Sequence, residues 1–245
     1  MGKKCTNPPI VEAVCEFRLV QDTRWDLTVP GLFYEKVKDS FPDREQRVVQ
    51  EVEVIQEPQG LQQRVRTAEH VLLFAPDRKM LIQLGPRLLV INVLKPYPTW
   101  REFKPRIEMA WEALQQVVEI KGLERVGLRY INRIEFPNQD VKLEEYFEFY
   151  PFVGQRLSQQ VVAFISGVEF SYTDDRDRCR VQLRSAIGEE KVAVILDIDY
   201  FVARARAVGV SETLGWVEEA HSRVEEVFEG CITDKLRSMF GEEVA

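Results

Sequence analysis

The sequence predicts an α+β protein made of two copies of one unit, in which a strand, a short helix, three or four antiparallel strands and a long amphipathic helix follow one another. Two observations lead to this prediction. A helical stretch in the first half aligns without gaps on one near the end of the chain, and the segments before the two stretches follow the same order. We therefore place the first unit at 1–122 and the second at 123–245, folded together as one compact molecule.

The two long helices carry the clearest internal match. Residues 107–119 align on residues 217–229 at an offset of 110. In both stretches apolar residues recur at i, i+3, i+4 and i+7, which predicts a helix that packs one face on another element. Thr99 is an N-cap candidate for the first of these helices. The identical pairs are Glu108/Glu218, Ala110/Ala220, Val117/Val227 and Glu119/Glu229.

The other elements of the first unit follow from alternation and turn signals. Residues 13–20 alternate like a strand, and the spacing of Phe33, Val37 and Phe41 predicts a short helix over 31–41. Pro76-Asp77 and Gly85-Pro86 indicate turns. The strands predicted after the short helix are 47–55, 64–74, 80–84 and 88–94.

The second unit repeats this order with one strand fewer. A strand is predicted over 127–136, and a short helix over 143–150 ends before Pro151. Further strands are predicted at 161–172, 178–186 and 192–201.

The element order resembles the duplicated saddle of TATA-binding-protein-like folds, and less closely the helix-grip folds. A helix that follows an antiparallel meander usually packs across one face of the sheet. Two such units form either one continuous sheet or two sheets, and the sequence leaves both open. An ordinary α+β protein whose two amphipathic helices merely look alike is the alternative to duplication. A likeness of fold does not carry function.

Composition excludes several classes of protein. With 45% hydrophobic and 30% charged residues, the chain is typical of globular rather than disordered proteins. No apolar run approaches the ~20 residues of a membrane span, and no apolar signal segment opens the chain, so we expect no membrane. Four cysteines without metal spacing favour a reducing, cytoplasmic location. Since the sequence has no P-loop and no GxGxxG, we expect no nucleotide site of the familiar kinds and no cofactor, and the cysteine spacing leads us to expect no metal.

Several segments together resemble one known family. They are NPPIVEAVCEFR at 7–18, LRYINRIEFP at 128–137 and LDID at 196–199, with Asn92, Trp100 and Ala220-His221 between and after them. The family comprises sporadically distributed prokaryotic proteins of similar length that open with a PPIxEAxxEfRf motif. The resemblance implies a prokaryotic cytosolic protein and supplies no activity, cofactor or catalytic residue. A sporadic distribution suggests a defence or mobile-element context.

The first candidate site is a charged face of the predicted sheet. Alternation in 192–201 places Asp197 and Asp199 on one face. If the strands at 127–136 and 178–186 are neighbours, the same face carries five arginines, namely Arg129, Arg133, Arg178, Arg180 and Arg184. Guanidinium groups suit phosphate and carboxylate ligands. Solvated cross-strand ion pairs and a metal held by the two aspartates are the alternatives.

The second candidate is His221. It lies on the apolar face of the last helix, at the position that Trp111 holds in the first unit, so a packing role is the simpler interpretation. A pocket between this helix and the sheet, lined by His221 and the two aspartates, is the alternative. No GxSxG nucleophile motif is present, and we predict no catalytic residue.

We therefore expect a non-enzymatic binding protein that acts with a protein partner or as a homo-oligomer through its charged sheet face. A small anionic ligand also fits that face. The runner-up is a small-ligand receptor or an enzyme with a pocket near His221. A third alternative is nucleic-acid binding on a saddle-shaped sheet. The net charge of −7 and the lack of a basic run or an RNP-like aromatic pair argue against nucleic acid.

Overall fold

The computed structural model describes residues 7–57, 60–138, 140–186 and 192–241, with side chains described outside 49–57 and 60–68. The helices are α1 (Val29–Val37), α2 (Trp100–Val117), α3 (Thr213–Cys231) and α4 (Asp234–Met239). The strands are β1 (Ile10–Leu19), β2 (Asp43–Glu57), β3 (Gly60–Phe74), β4 (Met80–Gly85), β5 (Leu88–Leu94), β6 (Leu123–Glu135), β7 (Ile165–Tyr172), β8 (Asp177–Ser185) and β9 (Ala193–Val202).

The protein is an α+β protein, and the nine strands of its described residues join one antiparallel sheet. The strand order is β2-β3-β4-β5-β1-β6-β9-β8-β7. β1 and β6 pair from Ile10 opposite Asn132 to Leu19 opposite Leu123, and this pairing connects the two halves of the chain. Of the two arrangements that the sequence left open, the structure has the continuous sheet.

Alternation along the strands separates a covered face of the sheet from an open one. In β1 the residues Ala13, Cys15, Phe17 and Leu19 are buried under the helices, whereas the residues between them are partly exposed. α2 packs on β5, and α3 packs on β6 and β9. Trp111 of α2 stacks on Phe17, with the ring centroids 4.6 Å apart. One apolar core therefore fills the space between the helices and the covered face.

A buried carboxylate anchors α3 to the sheet. Asp177, at the start of β8, is fully buried and accepts a hydrogen bond from Trp216 Nε1 at 3.1 Å. The Tyr200 hydroxyl donates to the same carboxylate at 3.2 Å, and Arg176 forms an ion pair with it. Burying a carboxylate is costly unless it is paired and hydrogen-bonded, and these three partners meet that need.

The prediction of a short helix over 143–150 is wrong. In this segment the structure has a 3₁₀ turn at Leu143–Glu145 in place of a helix. The residues after the turn bond instead to the chain that follows α3. Phe147 forms a β-bridge with Ile232, and Glu148 N donates to the Cys231 carbonyl at 2.9 Å. These bonds use backbone groups that a longer helix would need. The strand predicted over 161–172 begins later, at Ile165.

Among the residues with a described structure, none of the helices combines the length and the hydropathy that crossing a bilayer requires.

Candidate functional site

The six charged residues proposed from the sequence lie together on the open face of the sheet. Asp199 of β9 has Arg129 of β6 as its register partner on one side and Arg180 of β8 on the other. Ile195 of β9 lies in the same way between Arg133 of β6 and Arg184 of β8. Neighbouring strands in register present these side chains to one face. The six residues are Arg129, Arg133, Arg180, Arg184, Asp197 and Asp199.

Two ion pairs form the centre of this open face. Arg129 Nε donates to Asp197 Oδ1 at 2.7 Å, and its Nη2 donates to Oδ2. Arg125 Nη2 lies 2.8 Å from both carboxylate oxygens of Asp199, and its Nη1 lies 3.3 Å from Glu16. Burial raises the pKa of the Asp199 carboxyl, while the Arg125 guanidinium opposes that rise. Both aspartates are thus held by arginines of the neighbouring strand.

Three further arginines of the open face have carboxylate partners as well. Arg178 and Arg180 of β8 both donate to Glu169 of β7, at 3.0 and 2.8 Å, and they lower the pKa of that carboxyl. Arg133 donates to Glu135 at 3.1 Å. Arg184 is exposed and lies in register between Ile165 and Ile195. The open face is therefore largely a lattice of cross-strand ion pairs, each worth little to stability when it is exposed.

A groove of about 640 Å³ lies on the open face beside this lattice. Gly127 lies along it, where a Cβ would come within 2.5 Å of the Arg125 guanidinium. The ring of Phe201 lies below two guanidinium groups, 4.6 Å from that of Arg125 and 5.6 Å from that of Arg180. The groove thus combines an aromatic surface with charged edges.

His221 lies on the covered side of the sheet, away from the six residues above. It stacks on Trp100 of α2, with the ring centroids 4.1 Å apart and the planes 18° apart. Its Nδ1 lies 3.3 Å from the Tyr130 hydroxyl, which in turn lies 3.1 Å from the Tyr97 hydroxyl. Its Nε2 lies 3.5 Å from a carboxylate oxygen of Glu225. The imidazole therefore belongs to a polar chain that runs from Tyr97 to Glu225.

A cleft of about 250 Å³ borders this polar chain, and we name it the His221 cleft. Asp197 and Asp199 do not line it, because they point to the opposite face of β9. The buried Asn132 contributes an amide, whose nitrogen donates to the Leu196 carbonyl at 3.1 Å. The cleft is lined by Pro8, Pro9, Ile10, Tyr97, Pro98, Thr99, Trp100, Tyr130, Asn132, Ile198, His221, Val224, Glu225, Phe228 and Glu229.

Burial controls the protonation states in the His221 cleft. It lowers the pKa of His221 to about 4, although the nearby Glu218 carboxylate acts in the opposite direction. Burial also raises the pKa of Glu225 and, more strongly, that of Tyr97. At neutral pH the imidazole and the phenols are therefore uncharged.

The sequence missed several residues of both surfaces. Arg125 was left out because the strand was predicted to begin at Gly127, although the alternation of 125, 127 and 129 would have placed it on the charged face. Aromatic residues close to a helix start, such as Tyr97 and Trp100, are by their spacing typical of a core rather than of a ligand site. Sequence alone gives no signal that joins these two to Tyr130 and His221, because the four residues come from three distant segments.

The cysteines that the structure describes are not placed to act as nucleophiles or as metal ligands. Cys15, Cys179 and Cys231 are buried and unbridged, and burial raises the pKa of Cys231 to about 11. Such thiols stay protonated and unreactive. Cys5 lies outside the described residues. Within the described ranges, no three His, Cys, Asp or Glu side chains are grouped to hold a metal ion.

No protein-family model and no curated protein matches the chain.

Proposed function

We propose that the protein is a non-enzymatic binding protein that holds a partner protein on the open face of its sheet. The observation that carries this proposal is the groove of about 640 Å³ on the sheet face opposite the helices. Its edges carry the guanidinium groups of Arg129 and Arg180, whose side chains are 45% and 50% exposed. A charged, partly open groove of this kind is suited to recognition rather than to packing.

The hydrogen-bonding geometry supports an acidic contact at this groove. Arg129 and Arg180 each use Nε and Nη2 to hold a carboxylate of the open face. Their Nη1 groups carry none of the hydrogen bonds found among the described residues, so these donors remain for an incoming group. Guanidinium donors bind carboxylates and phosphates well. An acidic segment of a partner protein therefore fits this groove, and a small anion would use the same donors.

The test removes the two guanidinium groups at the rim of the groove. The rim variant, Arg129→Gln with Arg180→Gln, is compared with a matched control, Arg101→Gln with Arg156→Gln, which changes two exposed arginines that do not line the groove. Each is used to capture proteins from a lysate of the source organism, with circular dichroism as the check on folding. We expect a partner that the control retains and the rim variant loses. A folded rim variant that retains every partner overturns the proposal.

A second copy of this chain is one form that the partner can take. Sedimentation of the purified protein identifies this case, because the rim variant would then be monomeric while the control remains oligomeric. A wild-type monomer at high concentration directs the search to a different protein.

The second candidate function is that of a small-ligand receptor at the His221 cleft. The specific observation in its favour is a cleft with aromatic and aliphatic walls and a few convergent polar groups, among them Tyr97, Tyr130 and His221. Small-molecule sites generally have this composition.

We also propose that the fold arose by duplication and has the saddle arrangement of TATA-binding-protein-like folds. The strand order supports this proposal. In the first half the last strand, β5, pairs with the first, β1, and in the second half β9 pairs with β6 in the same way. The two halves then meet where β1 pairs with β6. Membership of the sporadically distributed prokaryotic family, with its defence or mobile-element context, stays a proposal that rests on the motifs at 7–18 and 128–137. A cytoplasmic location is supported by the buried, unbridged thiols.

A further inference from the structure

The charged side chains that line the described part of the His221 cleft are acidic. Its charged lining residues are Glu225 and Glu229, and the described lining contains neither lysine nor arginine. Arg237 neutralises Glu229, with its Nε 3.0 Å from the carboxylate. Among the described residues, the basic side chain near Glu225 is His221, which is neutral above about pH 4. Glu225 therefore brings a carboxylate to a half-buried position where no lysine or arginine of the described lining faces it.

The polar groups of the cleft form a connected chain. The Tyr97 hydroxyl lies 3.1 Å from the Tyr130 hydroxyl, which lies 3.3 Å from His221 Nδ1. At the other side of the ring, His221 Nε2 lies 3.5 Å from a carboxylate oxygen of Glu225. Both ends of this chain, the Tyr97 oxygen and the Glu225 carboxylate, have lone pairs left for a ligand. The site therefore calls for a ligand that donates hydrogen bonds.

The walls of the cleft suit a cation on an apolar body. Aromatic rings attract cations placed over their faces, and Tyr97 and Tyr130 both line the cleft. Ile198, Val224 and Phe228 provide apolar surface beside them. The volume of about 250 Å³ is below the ~300–1,000 Å³ of drug-sized sites, which restricts the ligand to a small molecule.

We propose that the His221 cleft binds a small organic cation, an ammonium group on an apolar body, with Glu225 as its counter-ion and the Tyr97 hydroxyl as a second acceptor. This inference rests on the receptor function given above as the second candidate. The apolar body lies against α3 and the aromatic side chains, and the ammonium group lies next to the Glu225 carboxylate.

The experiment compares three probes of one shape on the intact protein. Phenethylamine is the cation, 2-phenylethanol the neutral analogue and phenylacetate the anion. Each is titrated while the ring signals of His221 and the indole signals are followed by NMR. We expect phenethylamine to shift the His221 signals and to bind at least about tenfold more tightly than 2-phenylethanol, with phenylacetate the weakest.

A pair of variants on α3 tests the counter-ion. Glu225→Gln keeps the shape of the side chain and removes its charge, so phenethylamine should lose about tenfold in affinity while 2-phenylethanol is unchanged. The control is Glu226→Gln, one residue further along the helix, where the carboxylate pairs with Arg223 at 2.8 Å and does not line the cleft. Circular dichroism checks that both variants fold.

The outcomes separate the ligand class from the receptor function. If 2-phenylethanol or phenylacetate binds at the cleft as tightly as phenethylamine, the cation is the wrong class and the receptor function stands. If phenethylamine binds and Glu225→Gln leaves its affinity unchanged, the assignment of the counter-ion is wrong. If none of the three probes shifts the His221 signals at millimolar concentration, both the inference and the receptor function are overturned.

Discussion

His221 illustrates how packing at a single residue controls its charge. The ring is stacked on Trp100, and its side chain is only 13% exposed. Desolvation holds its pKa at about 4, against 6.5 for an unpacked imidazole. The unfolded chain therefore binds a proton at this residue in a pH range where the folded protein does not.

This difference predicts a loss of stability in mild acid. Between about pH 6.5 and pH 4 the unfolded state takes up the proton, so the free energy of unfolding falls as the pH falls, by at most about 3 kcal/mol from this residue. Urea unfolding of the wild type and of His221→Phe at pH 7 and pH 4.5 measures the effect. The variant should lose less stability than the wild type over that interval. Equal losses in the two proteins would show that His221 titrates normally.

At the scale of residues, the alternation of the sequence predicted which charged residues share the open face. It did not predict which of them form ion pairs with one another. Asp197 and Asp199 were placed on one face with arginines, and the register brings them together. The partner of Asp197 is Arg129, although its register partners are Ile131 and Gln182, so the ion pair is diagonal. Long side chains reach diagonal neighbours, and alternation alone does not determine which one they choose.

The hairpin of β4 and β5 shows a constraint at the scale of elements. At the end of β4, Gly85 lies against the buried ring of His70 on β3. A Cβ at this glycine would lie 2.6 Å from His70 Nε2 and 2.7 Å from Cδ2. The missing side chain therefore allows β3 and the hairpin to approach each other.

We predict that Gly85→Ala destabilises the protein by about 1–3 kcal/mol, because the added methyl overpacks a rigid buried ring. The control is Gly31→Ala in α1, where a Cβ meets no atom within 4 Å. There the better helix propensity of alanine should leave stability equal or raise it by up to about 1 kcal/mol. The midpoints of urea unfolding measure both changes. Equal midpoints for the two variants would contradict this account of Gly85.

The elements that the sequence predicted well are those with a strong local signal. The two long helices have continuous apolar stripes, and Thr99 occupies the N-cap of α2 as predicted. Residues 143–150 have a helical pattern too, but their backbone bonds to the segment after α3, and a local pattern does not reveal that. α4 was missed, although Thr233 caps it by accepting from Leu236 N and Asp234 follows in its first turn.

At the scale of the whole molecule, the pairing of β1 with β6 decides how the protein unfolds. β1 is hydrogen-bonded to β5 on one side and to β6 on the other. The main apolar core includes side chains from both halves of the chain, among them Trp111 and Trp216. The sequence did not reveal this pairing, because it joins residues more than 100 positions apart along the chain.

We predict that the two halves unfold together in a single transition. Far-UV circular dichroism and tryptophan fluorescence should give one urea midpoint. Amides of β5 and β9, for example those of Val93 and Leu196, should exchange with the same free energy of opening, equal to that of global unfolding. A clearly lower free energy of opening for the amides throughout one half would show that the two halves are separate folding units.

The alternation of β6 and β9 has a further consequence. Neighbouring residues of one strand serve opposite sides, since Arg129 lies at the groove and Tyr130 at the His221 cleft, and Asp199 and Ile198 are divided in the same way. The thickness of one sheet is all that separates the two surfaces. A substitution that shifts the backbone of β6 or β9 at one surface therefore also reaches side chains of the other, so a variant made for one surface has to be checked at both.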